Sequence, residues 1–223
     1  NTMGGLVKVH TRSPFSYQGT DLKLSYGSGN NHRSASLTHY HRINERFAFS
    51  AGGYYEGSDG FFTNTFLDKK VDEMQAGGGR IRAIWLPSEN WKLDFSISYD
   101  YTDEGGYPYY YTGILGGEED REELIGEIAY NRESSYRRSL LNTGLNIEHQ
   151  DNNFIFNAVT GFQHLKDRMF MDQDFSPLDT YTLEQKQRIN SISEEISFKS
   201  KPGKRWQWTT GVFGFYQSMN VNS

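Results

Sequence analysis

The sequence predicts an all-β fold, an antiparallel barrel whose strands cross a lipid bilayer, and three observations predict it. Apolar and polar residues alternate strictly over segments longer than a soluble strand needs. The connections between these segments alternate between short and long. No stretch approaches the ~20 consecutive apolar residues of a membrane-spanning helix, although the chain of 223 residues carries 15 Tyr and 15 Phe. Its apolar residues are scattered singly among Ser, Asn, Gly and charges, which is what alternation produces.

The clearest segment is Trp91 to Tyr101, WKLDFSISYDY. Trp91, Leu93, Phe95, Ile97, Tyr99 and Tyr101 fall on one face, and Lys92, Asp94, Ser96, Ser98 and Asp100 on the other. A tilted membrane-spanning strand needs about 9 to 11 residues, against about five or six for a soluble one, so length favours the bilayer. Eight further segments read as strands: Asp21 to Tyr26, Arg33 to His41, Phe47 to Glu56, Gln75 to Leu86, Ser139 to Glu148, Phe154 to Leu165, Ile189 to Lys199, and Trp206 to Gln217. Several have one apolar face (Leu141, Leu145, Ile147; Phe47, Phe49, Tyr55; Trp206, Trp208, Val212) opposed by Asn142, Asn146, Glu148 or Gln207. Apolar-out and polar-in is the pattern of a barrel in lipid. Gly77, Gly78 and Gly79 flatten the fourth segment, and Phe213 and Phe215 place aromatics on the nominal inner face of the ninth.

The short connections are Ile43 to Arg46, Pro87 to Asn90, Gln150 to Asn153 and Lys201 to Arg205; the long ones are Gly57 to Met74, Thr102 to Arg138 and Lys166 to Arg188. Only Gly27 to Asn31 is a short member of the second set. Bacterial outer-membrane barrels carry short periplasmic turns on one rim and long extracellular loops on the other, so the alternation assigns sides. Pro-Ser-Glu-Asn at 87 to 90, Asp151-Asn152-Asn153 and Lys201-Pro202-Gly203-Lys204 have the chemistry of tight reversals.

Composition narrows the function. The absence of cysteine excludes a disulfide framework and Cys-ligated metal. A net charge of −5, spread along the chain with no basic stripe, argues against nucleic acid as a partner. The chain starts without a charged n-region and apolar core, so the expectation is either a cytosolic chain or a targeting sequence outside these residues. There is no nucleophile elbow, no His-Glu-x-x-His and no phosphate-cradling Gly loop, and Gly77-Gly78-Gly79 sits within a strand. The expectation is a protein that is not an enzyme and uses no cofactor.

The opening residues, Asn1-Thr2-Met3-Gly4-Gly5-Leu6-Val7-Lys8-Val9-His10-Thr11-Arg12-Ser13-Pro14, resemble the end of the plug domain of TonB-dependent outer-membrane receptors. There an Asn-x-x-Gly-Gly-hydrophobic-x-x-x-Thr-x-x-Pro stretch, here Asn1, Gly4, Gly5, Thr11 and Pro14, leads directly into the first barrel strand. Gly60-Phe61-Phe62-Thr63-Asn64 and Ile192 to Phe198, leading on to Trp206 to Phe213, are similar to the family as well. The resemblance implies a plug end at residues 1–14 followed by the N-terminal portion of the barrel at 15–223, about nine strands of 22. It also implies a bacterial outer-membrane location and energised uptake of a scarce, bulky nutrient, foremost a ferric siderophore. The partners implied are outer-membrane lipid, the remainder of barrel and plug, the TonB complex through the rest of the plug, and an extracellular small-molecule ligand. The alternative from another class is a small self-contained outer-membrane or soluble β-barrel serving as an adhesin or structural module.

Candidate substrate contacts lie in the long connections. Tyr107, Tyr109, Tyr110 and Tyr111 surround Pro108, Phe61 and Phe62 follow Asp59-Gly60, and Met169, Phe170 and Met171 form a short apolar run. Aromatic loop residues suit planar or amphipathic ligands, and they equally suit an interfacial belt or loop-to-loop packing. The acidic run Glu118, Glu119, Asp120, Glu122 and Glu123 reads as a solvated loop face that could also offer carboxylates to Ca²⁺. His39 and His41 share one strand face; a metal or haem would need a third ligand from a neighbouring strand, and the ordinary reading is histidines on the polar inner face, each hydrogen-bonded to the plug or to a neighbouring side chain. Arg80, Arg82, Lys92, Asp94 and Asp100 point inward as cross-strand ladders that contact the plug or line a passage. No metal site is expected.

Overall fold

The structure, a computed structural model, describes residues 11–110, 112, 124–203 and 205–223. It is all-β: β1 (Gly19–Gly27), β2 (His32–Arg42), β3 (Phe47–Ser58), β4 (Thr63–Asn64), β5 (Lys69–Lys70), β6 (Met74–Ser88), β7 (Trp91–Gly105), β8 (Ser135–Gln150), β9 (Phe154–Asp172), β10 (Thr182–Ser200) and β11 (Thr209–Asn222). Nine of them form one antiparallel sheet in the order β1-β2-β3-β6-β7-β8-β9-β10-β11; β4 and β5 make a two-stranded ribbon inside the connection from β3 to β6. Each sheet strand pairs with its neighbour in sequence, and among the described residues β1 and β11 are edges rather than partners of each other. The self-contained barrel therefore does not describe this sheet.

The register carries two chemically distinct faces across the sheet. Leu22, Leu37, Gly53, Gly79, Tyr99 and Leu141 stand directly opposite one another in sequence from β1 to β8. The same face presents Leu24, Tyr26, Ile81, Trp85, Phe95, Phe162, Ile192, Val212 and Tyr216, all exposed. So large a one-sided apolar surface is unfavourable in water and demands an apolar surrounding. The other face is rich in Ser, Thr, Asn and charged residues, with an apolar strip along β11 (Phe213, Phe215, Met219, Val221), and the segment 11–18 packs onto its β1–β7 end. At this end Pro14, Ala48 and Ile84 are almost wholly buried and Tyr40 nearly so.

At the short-turn rim the expected reversals form. Asn44 Oδ1 accepts the amides of Arg46 and Phe47 at 2.8 and 2.9 Å, and Asp151 Oδ1 those of Asn153 and Phe154 at 2.7 and 2.8 Å. Both are Asx turns, in which a short side chain substitutes for a ladder acceptor. The register between β6 and β7 shifts between Trp85 and Ser88, which accommodates Pro87 where no ladder donor is needed.

The strands run further toward the long-loop rim than alternation alone indicates. β7 continues to Gly105, β8 begins at Ser135, and β9 and β10 have 19 residues each, leaving only 173–181 between them. Beyond the apolar band the residues no longer sort by polarity onto two faces, so the period-two signal fades while backbone pairing continues. Met169, Phe170 and Met171 consequently lie in β9 and not in a loop. β11 starts at Thr209 instead of Trp206, so Trp206 and Trp208 belong to the turn.

Candidate functional site

The polar face holds the site, and its construction begins at the short-turn rim. Arg82 on β6 and Asp94 on β7 form a two-pronged ion pair, Nε to Oδ1 at 2.8 Å and Nη2 to Oδ2 at 2.7 Å, with Lys92 at 3.8 Å. The remaining Arg82 Nη1 donates to Thr11 Oγ1 at 2.9 Å and to the Arg12 carbonyl at 3.4 Å. The planar guanidinium fork thus joins the sheet to the N-terminal segment with directional bonds that a lysine could not supply. Gln18 Oε1 accepts the Arg42 amide at 2.6 Å, Tyr17 meets Tyr40 edge-on at 5.1 Å, and Arg12 pairs with Asp21 at 3.1 Å. The expected inward ladder of Arg82, Lys92 and Asp94 is present, and it contacts Thr11 and Arg12. Asn1, Gly4 and Gly5 lie outside the described residues; Thr11 is clasped and Pro14 is buried.

Above this contact the polar face carries two open clefts. One of about 500 Å³ is lined by Arg12, Tyr40, Arg82, Asp94, Asn142 and Asn146 among others. The next, about 430 Å³, is lined by Asp21, Lys23, Tyr54, Arg80, Ser98 and Asp100 among others. Tyr54 donates to Asp100 Oδ1 at 2.9 Å, reaching across the intervening Gly78 of β6.

At the other rim the long connections pack into a common cap. Val71, Ile128 and Tyr130 form a small apolar core with Leu67 against it. The wholly buried Asn64 donates to the Tyr130 carbonyl at 2.8 Å and accepts the amides of Phe66 and Leu67. Burial pushes the Tyr130 phenol up to about 12, so it stays neutral. Arg132 reaches from this cap to Asp179 through two bonds of 3.0 and 2.8 Å, tying in the connection 173–181.

The predicted contact residues divide accordingly. Asp72 accepts the amides of Phe61 and Phe62, whose side chains remain exposed. Tyr107 stacks on Tyr109 at 6.2 Å and Tyr109 meets Phe175 edge-on at 5.0 Å, so part of this aromatic group serves loop packing while Tyr109 and Tyr110 stay exposed. Tyr111 and the acidic run 118–123 lie outside the described residues. Met169 and Met171 alternate onto the polar face of β9, and Phe170 onto the opposite one beside Arg168, at 5.9 Å.

Two expectations are corrected. His39 and His41 lie on the apolar face, in the alternation of Leu37: His41 packs at 5.8 Å from Phe49, and His39 Nδ1 sits 2.9 Å from Thr20 Oγ1. Among the described residues no third His, Asp or Glu joins them. The even spread of charge also fails in three dimensions, because Arg137, Lys166, Arg168, Lys186 and Arg188 meet across β8, β9 and β10. The sequence separates these residues, and only strand register brings them together.

No protein-family model matches the sequence. Among solved structures the chain is similar to the ferric yersiniabactin uptake receptor FyuA from Yersinia pestis, with 15% sequence identity and a TM-score of 0.68 over 86% of this chain. The chain spans 29% of that receptor's length. At this identity the likeness shows the fold: an antiparallel sheet that corresponds to part of a receptor barrel.

Proposed function

We propose that the chain is part of a TonB-dependent outer-membrane receptor that takes up a scarce, bulky nutrient, a ferric siderophore foremost. In this reading residues 1–14 are the end of the plug, 15–223 are the N-terminal portion of the barrel, and the apolar face meets lipid. The observation that carries the reading is the Arg82–Asp94 fork closing on Thr11 and Arg12 from the polar face. A segment held inside a barrel wall by directional polar bonds is what a plug requires, because it must be retained firmly yet released without unfolding an apolar core. The shared fold with a ferric siderophore uptake receptor supports it. The short-turn rim is then periplasmic, the cap of loops extracellular, and Phe61, Phe62, Tyr109 and Tyr110 line the approach of ligand.

The test is accumulation of radiolabelled ferric siderophores by cells expressing the full-length protein, with and without an energised inner membrane. Energised cells are expected to accumulate label, and the double variant Tyr109→Ala, Tyr110→Ala to bind about tenfold more weakly, as for truncation of aromatic anchors. Accumulation that ignores energisation, or no binding of any ferric siderophore, would overturn the assignment.

A further inference from the structure

The long connections carry far more negative charge than the rest of the chain. Residues 59–73, 106–134 and 173–181 hold thirteen carboxylates against four cations, a net charge of −9, while the whole chain has −5. In their described parts alone the count is eight carboxylates against three cations. The fold gathers those parts at one rim: Asn64 is bonded to the Tyr130 carbonyl, Lys69 to Glu133, and Arg132 to Asp179. Charge spaced along the sequence is thereby collected in the cap.

Each of those three cations is already engaged. Lys69 pairs with Glu133, Lys70 Nζ donates to the Phe61 carbonyl at 2.6 Å, and Arg132 holds Asp179 through two bonds. Carboxylates, by contrast, are left over: Asp68, Glu73 and Glu127 are exposed and take no side-chain hydrogen bond or ion pair among the described residues. The shortage of donors extends beneath the surface, where Asp172 is 1% exposed and its Oδ1 has no hydrogen-bond partner among the described residues. Arg137, Lys166, Arg168, Lys186 and Arg188 do not serve this approach, because they stand on the outward face of the sheet. An anion arriving at the cap would meet like charge and no free cation to receive it. A cation is drawn in by the field of the rim, over a Debye length of ~8 Å at physiological ionic strength. The exposed rings of Phe61, Phe62, Tyr109 and Tyr110 then offer it faces on which positive charge is favourably placed.

We propose that the ligand admitted by this cap is a positively charged iron complex, a bulky apolar body bearing an ammonium group, and that anionic complexes are turned away. The inference rests on the receptor reading and narrows it by chemistry. Three hydroxamates balance the charge of iron(III) and leave a pendant ammonium as the net charge, whereas three catecholates around the same ion leave an excess of negative charge. Asp68, Glu73 and Glu127 set the preference through their field, and the four exposed rings supply contact.

The test uses the full-length protein in detergent and measures, by equilibrium dialysis, the binding of three probes: an iron(III) trihydroxamate with a free terminal amine, the same complex with that amine acetylated, and an iron(III) tris-catecholate. At low salt the amine complex should bind about tenfold more tightly than its acetylated form, at the lower end of electrostatic steering. The tris-catecholate should bind most weakly, and the advantage of the amine should shrink as ionic strength rises. Asp68→Asn with Glu73→Gln and Glu127→Gln removes a third of the net charge of the connections and should reduce that advantage about threefold. Binding of the acetylated complex should not change in this variant, which reads charge separately from folding. Equal binding of the amine and acetylated forms, or tightest binding of the tris-catecholate, overturns the inference and leaves a solvated acidic rim. An undiminished advantage in the triple variant overturns the role of these carboxylates. The two levels separate cleanly: iron(III) complexes bound without regard to charge refute the selection alone, whereas a protein that binds no iron(III) complex of any charge refutes the receptor reading beneath it.

Discussion

Asp174 organises the connection between β9 and β10 through a single carboxylate. Its Oδ1 accepts the Ser176 amide at 3.0 Å and hydroxyl at 2.8 Å, and its Oδ2 the amides of Thr180 at 3.1 Å and Tyr181 at 3.4 Å. Partial burial works to raise its pKa, but the donors from Ser176, Thr180 and Tyr181 outweigh burial and hold the group below the usual carboxylate value. A pKa depressed by folding contributes stability that is present above the unfolded value, ~3.9, and is lost as pH falls through the folded value. The hold of Asp174 on the 173–181 connection should thus be indifferent to pH between 7 and 5 and be lost only below about pH 4. Hydrogen exchange of the Ser176, Thr180 and Tyr181 amides, corrected for intrinsic rates, reads this directly. In Asp174→Asn the acid-dependent loss should be much reduced, the remainder belonging to the Arg132–Asp179 pair; a loss of equal size in wild type and variant would refute the role of the carboxylate.

Across three strands the inner face depends on a residue with no side chain. Tyr54 on β3, Gly78 on β6 and Asp100 on β7 are in one row, and a Cβ on Gly78 would stand 2.6 Å from the Tyr99 carbonyl oxygen, 2.8 Å from Asp100 Oδ1 and 2.9 Å from the Tyr54 ring. Gly78→Ala is therefore expected to displace the Tyr54–Asp100 bond and cost ~1–3 kcal/mol. Gly106→Ala, where a Cβ meets nothing within 4 Å, is the control. Resistance of the folded full-length protein to urea in detergent compares them, and equal midpoints would show that the row can relax. Alternation identified the strands and their faces wherever one side is apolar, as in Trp91 to Tyr101. It fell short at Lys166 to Asp172 and Thr182 to Arg188, where apolar and polar residues no longer sort by face: Met169, Phe170 and Met171 follow one another without alternating. The side on which His39 and His41 lie was legible, since they alternate with Leu37, but histidine's own polarity pointed the other way. The row Tyr54–Gly78–Asp100 and the cation group were not legible, because register decides which distant residues become neighbours.

For the whole molecule, the open sheet governs behaviour. Among the described residues β1 and β11 each pair along one side only, and a backbone polar group left without a partner in hydrocarbon costs several kcal/mol. The apolar face runs across the whole sheet, from Leu22 to Tyr216, but the ladder does not close on itself among the described residues. Apolar residues also crowd the inner side near the β11 edge, where Phe213, Phe215, Met219 and Val221 are exposed. Detergent can cover the outer face, yet it can neither donate to nor accept from the two edges, and other strands can. The 223-residue chain refolded alone in detergent is accordingly expected to gain β-rich circular dichroism while associating through its edges, with no compact, heat-modifiable monomer on a gel. The full-length polypeptide should show that monomer. Native mass spectrometry of any heat-modifiable species decides the matter: a mass of one 223-residue chain would mean that β1 and β11 can pair with each other, and the reading of this sheet as part of a larger barrel would fall.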